Sequence, residues 1–353
     1  MDRVLCTWWS LNHNMQNFDP VYNSIPKVEL HCHLEGSIRT QTILDIARQF
    51  HLRLPTYDIQ ELDRYVKVRG QLNNLQAVLD AFAIFQNSLV SIEVIERITY
   101  ELCQDASHQN IQLLEIRFSP DWAFSGHGLN WDLALEAIQH AQERAWIDFG
   151  LMTTLIAITS RSLGVGSCHK TVDWAIHHLD AIQGIDLADN ERGHPIREFI
   201  DPVWRAKDAG LKVTIHTGED TPASAVLETI QAVQPDRIGH GIHIIEDPQA
   251  VEIVRSKNIV LEINPWSNYL TNSVSQIDQH PLKQLFDLGV KVTINSDDPE
   301  VLDTNLNNEY RIAHEVLGMS LEDITTCNRV ALQASFLSQD KKRLLLEKFP
   351  IWK

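Results

Sequence analysis

The chain has 353 residues, 44% of them hydrophobic, and its 47 acidic against 30 basic side chains leave a formal charge of −17. That balance argues against nucleic acid as a partner, because phosphate backbones need clustered Lys and Arg, and the apolar share rules out wholesale disorder. Five scattered cysteines (Cys6, Cys32, Cys103, Cys168, Cys327) include no C-x-x-C pair and suit a reduced, cytoplasmic setting rather than a disulfide framework. No stretch nears the roughly 18 apolar residues of a spanning helix, so no membrane partner is expected.

Residues 1–24 hold a short apolar run that breaks at Asn12, His13 and Asn14, with no small-residue cleavage site after it. They read as a surface extension ahead of a single domain over 25–353. Short β-branched runs then recur at 27–30, 112–118, 153–159, 181–187, 212–215, 236–239, 259–263 and 291–294. Helical spacing fills 75–82, 131–147, 171–179, 199–209, 225–233 and 248–255. Alternation of this kind implies parallel βαβ units, and eight of them predict an α/β fold, a (β/α)8 TIM-type barrel; an open doubly wound sheet allows the same alternation. A segment rich in helix formers, about 45–110, separates the first two strands and is longer than one crossover needs, so part of it is expected to cap the barrel mouth. Residues 303–349 contain no β runs and read as C-terminal helices.

Polar groups collect where the predicted strands end, which is where barrel enzymes keep their chemistry. The first strand ends in His31, Cys32 and His33, and side chains two apart on a strand share a face, so both imidazoles point one way. The fifth ends in His216, Thr217, Gly218 and Glu219, the sixth in Gly239, His240 and Gly241, and the eighth in Ser296, Asp297, Asp298 and Pro299. Singly these are ordinary: an H-x-H is commonly incidental, a lone buried His is usually just hydrogen-bonded, and Asp-Asp-Pro is usually a turn. Jointly they bring three His and a carboxylate to one rim, a set that suits zinc with an open position for water, and leave Glu219, His240 and Asp298 for acid, base and orienting roles.

On these residues the chain resembles the adenosine deaminase branch of the amidohydrolase superfamily, over about 26–338. The matching strings are PKVELHCHLEGS at 26–37, TIHTGE at 214–219, RIGHG at 237–241 and NSDDP at 295–299. The resemblance implies that His31, His33, His216 and Asp297 bind one catalytic Zn2+ per chain, which would lower the pKa of a bound water. It implies that His240 orients that water and accepts its proton, that Glu219 protonates the purine nitrogen beside the attacked carbon, and that Asp298 faces the ring's N7 edge. Ammonia then leaves and a 6-oxo purine remains. Glu219 must hold a proton when substrate binds, which calls for a raised pKa. The cysteine ligands of cytidine-type deaminases have no counterpart here.

Flanking strings, EIRFSP at 115–120, SRSLG at 160–164 and PWSNYLT at 265–271, resemble segments of bacterial adenosine deaminases. Leu75, Val78, Leu79 and Phe82 fall at i, i+3, i+4 and i+7 and match the family's apolar lid over the nucleoside; ordinary core packing produces the same stripe. Two departures bear on substrate binding. Glu35 stands where adenosine deaminases usually carry Asp to meet the ribose 5′-hydroxyl, as in the free-adenine and modified-nucleoside branches. Asp189 stands where they carry the glycine whose amide faces purine N3, so either the amide contact survives or the carboxylate enters the pocket.

The expected activity is therefore hydrolytic deamination of adenosine and 2′-deoxyadenosine, on a small-molecule purine nucleoside or base. The same chemistry on adenine, a 6-amino futalosine or an N6-substituted or ribose-modified nucleoside is the alternative. A catalytically silent nucleoside-binding barrel would be expected to have lost Glu219, His240 or a ligand, and all are present. A binuclear amidohydrolase would commonly need a lysine near the fourth strand end, and 181–191 contains none.

Overall fold

The computed structural model describes residues 20–71 and 75–353, except for the side chains of 75–81. Its eight strands form one parallel sheet in sequential order: β1 (Lys27–His33), β2 (Ile111–Phe118), β3 (Met152–Ser160), β4 (Gly184–Ala188), β5 (Lys212–Thr217), β6 (Arg237–His240), β7 (Val260–Ile263) and β8 (Lys291–Ile294). This is the (β/α)8 barrel, not the open sheet. The strands are buried almost throughout, as helices covering a closed parallel sheet require.

Closure runs through the residues just past β8. Cys32 and Asp297 form a parallel bridge: the His33 amide donates to the Asp297 carbonyl at 2.8 Å, and the Asp297 amide donates to the His31 carbonyl at 2.9 Å. The backbone bonds that close the barrel thus set the Asp297 side chain between those of His31 and His33.

Strand boundaries shift from the sequence expectation by one or two residues at most strands and by three at β1 and β4. β1 runs on through His33 because Asp297 supplies partners for its last residues. β4 begins at Gly184, not at 181, because the amides of Ala181 and Ile182 close a turn onto the His178 carbonyl. Helix Gly164–His177 starts earlier than expected; Gly164 and Gly166 in its first turn are poor helix formers and hide it.

The insertion after β1 folds into helices Thr40–Phe50, Ile59–Val66, Leu75–Ser88 and Ile92–His108. Helix Leu75–Ser88 packs against the Glu35–Ser37 turn at the end of β1, which puts it at the mouth of the barrel. At the other end of the chain, helices Leu306–Arg311, Leu321–Ala334 and Gln339–Lys348 complete the body, and Leu321–Ala334 carries a capping box between Ser320 and Asp323. Residues Pro20–Ser24 form a short helix whose Tyr22 is buried, with its hydroxyl donating to Glu315 Oε1. Among the described residues no helix is long and apolar enough to cross a membrane.

Candidate active site

Three imidazoles and a carboxylate meet at the C-terminal end of the barrel. His31 Nε2 and His33 Nε2 each lie 3.2 Å from Asp297 Oδ1 and 3.3 Å from each other. His216 stacks edge-on to His31 with ring centroids 4.6 Å apart. A tetrahedral zinc with bonds of about 2.0–2.1 Å holds its ligand atoms roughly 3.3–3.4 Å apart, so His31, His33 and Asp297 fit such an ion by type and by spacing, and His216 by type. One nitrogen or oxygen from each of His31, His216, His240 and Asp297 also falls within a 4.8 Å cluster, and His33, Asp297 and Asp298 form a second group. His240 stands further back, its Nε2 3.9 Å from Asp297 Oδ2.

The far nitrogens of the imidazoles are already spoken for. His31 Nδ1 pairs with Glu262 Oε2 at 2.9 Å and His216 Nδ1 with Asp186 Oδ1 at 3.0 Å, which turns each Nε2 inward as a bare donor atom. Both carboxylates rest on one buried guanidinium: Arg117 reaches Asp186 and Glu262 at 2.7 Å each. Arg237 adds a second contact to Glu262 at 2.5 Å and another to Glu115 at 2.6 Å. Burial alone would raise the pKa of Asp186 and Glu262; the His216 imidazole and the Arg117 charge beside Asp186, and the charges of Arg117 and Arg237 beside Glu262, outweigh it and keep both ionised.

Glu219 faces this cluster. Its Oε2 is 3.5 Å from His240 Nε2 and its Oε1 accepts the Thr271 hydroxyl at 3.1 Å. Burial, and then the negative charges of Asp297 and Glu191, push its carboxyl well above the usual range, the direction a proton donor needs. Glu191 also builds the loop: it accepts the Gly218 amide at 2.8 Å and the Glu219 amide at 3.2 Å. Gly218 sits at φ 73 with Val226 where a Cβ would go, so only glycine makes this turn.

Asp298 lies over Gly36, where a Cβ would fall 1.8 Å from its Oδ1, so the glycine makes room for that carboxylate. Burial, reinforced by Asp297 and Glu35 and offset in part by His33, pushes Asp298 up to about 7. Glu35 is buried and accepts the Ser119 amide at 2.7 Å across the end of β2. Asp189 is at φ 79, and its carboxylate binds the Ser160 hydroxyl and the Ser162 and Asn190 amides. His240 and Asp297 also sit at positive φ, 61 and 65, so three strand-end residues of the rim hold a conformation that bulky side chains rarely adopt.

Of the apolar stripe proposed as a lid, Leu75, Val78 and Leu79 have side chains outside the described residues. Phe82 is half-buried, edge-on to Trp122 at 6.4 Å between ring centroids. Sequence reasoning gave no role to Asp186, Arg117, Glu262, Glu191, Asn264, Asn268 or His280. The available signal was charge inside apolar strand runs: Glu115, Arg117, Asp186, Arg237 and Glu262 are all fully or almost fully buried, which such groups tolerate only when paired.

A closed parallel barrel with imidazoles and carboxylates converging at its C-terminal rim, in a group that could hold a metal ion, defines a hydrolase of the amidohydrolase type. Residues 26–351 match the family model described as adenosine deaminase, and the chain belongs to that family. It is 35% identical to an adenosine deaminase of Aliivibrio fischeri over 93% of this chain and 98% of that one. Among solved structures, an adenine deaminase from Arthrobacter aurescens superposes with a TM-score of 0.85 at 28% identity, covering 93% of this chain and 98% of that one. The N6-methyl-AMP deaminase of Arabidopsis thaliana superposes with a TM-score of 0.81 at 27% identity, covering 93% and 97%. The protein is a hydrolytic aminohydrolase.

Proposed function

We propose that the protein deaminates adenosine and 2′-deoxyadenosine to inosine and 2′-deoxyinosine, with one zinc held by His31, His33, His216 and Asp297. The observation that carries this reading is the Glu219 carboxyl, 3.5 Å from His240 Nε2, facing the zinc-type donors of His31, His33 and Asp297. Bound there, zinc supplies a Lewis acid that activates water. Glu219 keeps its proton until a purine enters, then gives it to the ring nitrogen beside the carbon under attack, making that carbon electrophilic. Asp298, pushed up to about 7, presents a carboxyl to the N7 edge. His240 orients the attacking water. The exocyclic C–N bond breaks and ammonia leaves.

Similarity to the adenosine deaminase of Aliivibrio fischeri over nearly the whole chain supports the nucleoside as substrate. A second reading, the same chemistry on adenine or an N6-substituted purine, draws support from Glu35, a longer acid than Asp at the rim and bound to the Ser119 amide. Names of the superposed structures point the same way.

Ammonia release by zinc-loaded protein across adenosine, 2′-deoxyadenosine, adenine and N6-substituted nucleosides decides between the readings. Adenosine and 2′-deoxyadenosine turning over fastest is the expected result. Failure of both, with turnover of another purine, establishes the second reading; inactivity on all of them overturns both.

A further inference from the structure

Behind His240 runs a line of buried polar groups whose donors and acceptors follow from a single unambiguous one. The backbone amide of Leu282 lies 3.1 Å from His280 Nδ1. A peptide N–H can only donate, so Nδ1 is bare and the ring's proton is on Nε2. His280 is 5% exposed, and burial pushes it down to about 3, which keeps the ring neutral. Its Nε2–H faces Asn268 Oδ1 at 3.1 Å, and that fixes which end of the amide is oxygen. Asn268 Nδ2 then donates to His240 Nδ1 at 2.9 Å. Asn264 Nδ2 approaches the same nitrogen at 3.3 Å; its own Oδ1 finds no partner among the described residues, so nothing on its far side sets its orientation.

We infer that Leu282, His280 and Asn268 set the tautomer of His240, so that its proton sits on Nε2 and it enters the site as a hydrogen-bond donor rather than as the base. His280 and Asn268 are positioning residues: their side chains bond to each other, to the Leu282 amide and to His240, and both act through His240. The inference rests on the deaminase reading above. A donor at Nε2, 3.5 Å from Glu219 Oε2, holds the oxygen of the attacking water. The proton lost as the water's O–H bond breaks goes to Glu219, whose carboxylate is free once it has protonated the ring.

The test is the 15N–1H correlation spectrum of histidine side chains in 15N-labelled, metal-loaded protein, with steady-state kinetics beside it. Wild type is expected to show His240 protonated at Nε2. Asn268→Asp offers Nδ1 only an acceptor; it should move the proton to Nδ1 and lower kcat about 100-fold with KM within about threefold. His280→Leu should leave His240 in mixed tautomers with a smaller fall in kcat. His280→Gln, which can accept from Leu282 and donate to Asn268, should restore both the spectrum and most of the activity. A wild-type His240 protonated at Nδ1 overturns the inference, and so does an unchanged His240 signal in both Asn268→Asp and His280→Leu. The spectrum needs no turnover: protein inactive on every 6-aminopurine but protonated at Nε2 overturns the function and keeps the tautomer line.

Discussion

Asp189 gives its carboxylate to the end of the neighbouring strand, with Oδ2 2.7 Å from Ser160 Oγ and 3.2 Å from the Ser162 amide, while Oδ1 accepts the Asn190 amide at 2.7 Å. Burial would raise its pKa, but bonds from Ser162, Ser160 and Asn190 hold it below the usual range, as a carboxylate. Of the two arrangements open from sequence, a side chain turned into the pocket or one that leaves the backbone contact free, the structure has the side chain bound along the rim.

The substitution that tests this is Asp189→Gly. Glycine relaxes the backbone at φ 79 but loses the carboxylate's bonds, so the two effects on stability oppose each other. The order of substrate preference is expected to stay as in wild type, with kcat/KM changed by about threefold or less. Asp189→Ala keeps the strain and loses the bonds, and should cost about 1–3 kcal/mol in urea unfolding. A switch in the preferred purine on Asp189→Gly would put the carboxylate in the specificity machinery instead.

Charge at strand ends was what made the rim legible. His31, His33, His216, Glu219, His240, Asp297 and Asp298 sit at or just past the ends of β1, β5, β6 and β8, and a barrel brings such ends together by construction. The supports behind them were not legible. Glu262 and Asp186 lie within runs that read as apolar strands, and only the closed barrel shows that both meet Arg117. His280 is 40 residues from His240 in a loop before helix Leu282–Asp287, and no periodicity connects it to Asn268. Strand boundaries shifted for a related reason: β1 reaches His33 because of Asp297, a partner more than 260 residues away.

Glu219→Gln keeps the shape of the side chain and removes its acid. Turnover is expected to fall about 100- to 10,000-fold, with bound zinc unchanged by metal analysis. The pH profile gives the sign. The protonated carboxyl is the active form and burial with the nearby negative charges raises its pKa, so this group's contribution to wild-type kcat/KM should be present below that pKa and fall as pH rises through it. The residual activity of the variant should lack this alkaline fall. An alkaline limb of the same midpoint in the variant would assign it to another group.

Asp186→Asn probes the support behind the metal ligands. The variant loses the charge that holds His216 Nδ1 and one of the two carboxylates on Arg117. Zinc affinity is expected to fall about 10- to 100-fold in competition with a chelator, the range usual for such supporting carboxylates. Activity should return at saturating zinc if His216 keeps its place. Unchanged zinc affinity would mean that His216 is oriented by other contacts, of which the Arg161 bond to its carbonyl at 2.8 Å is the nearest candidate.

His280 makes the folded state sensitive to acid. Its pKa is about 3 in the folded protein against an ordinary 6.5, because burial opposes the charged ring. Between those values the unfolded chain takes up a proton that the folded one does not, so stability falls as pH drops from 6.5 toward 3. At pH 5 this single group costs about 2 kcal/mol relative to pH 7. His280→Gln has no ring to protonate, so its loss of stability between pH 7 and 5 should be smaller than that of wild type by about this amount. Urea midpoints of both proteins at the two pH values measure the difference, and acid release of the metal, common to both, cancels in the comparison. Equal losses in the two proteins would mean that His280 is protonated in the folded state at pH 5, with Leu282 no longer bonded to its ring.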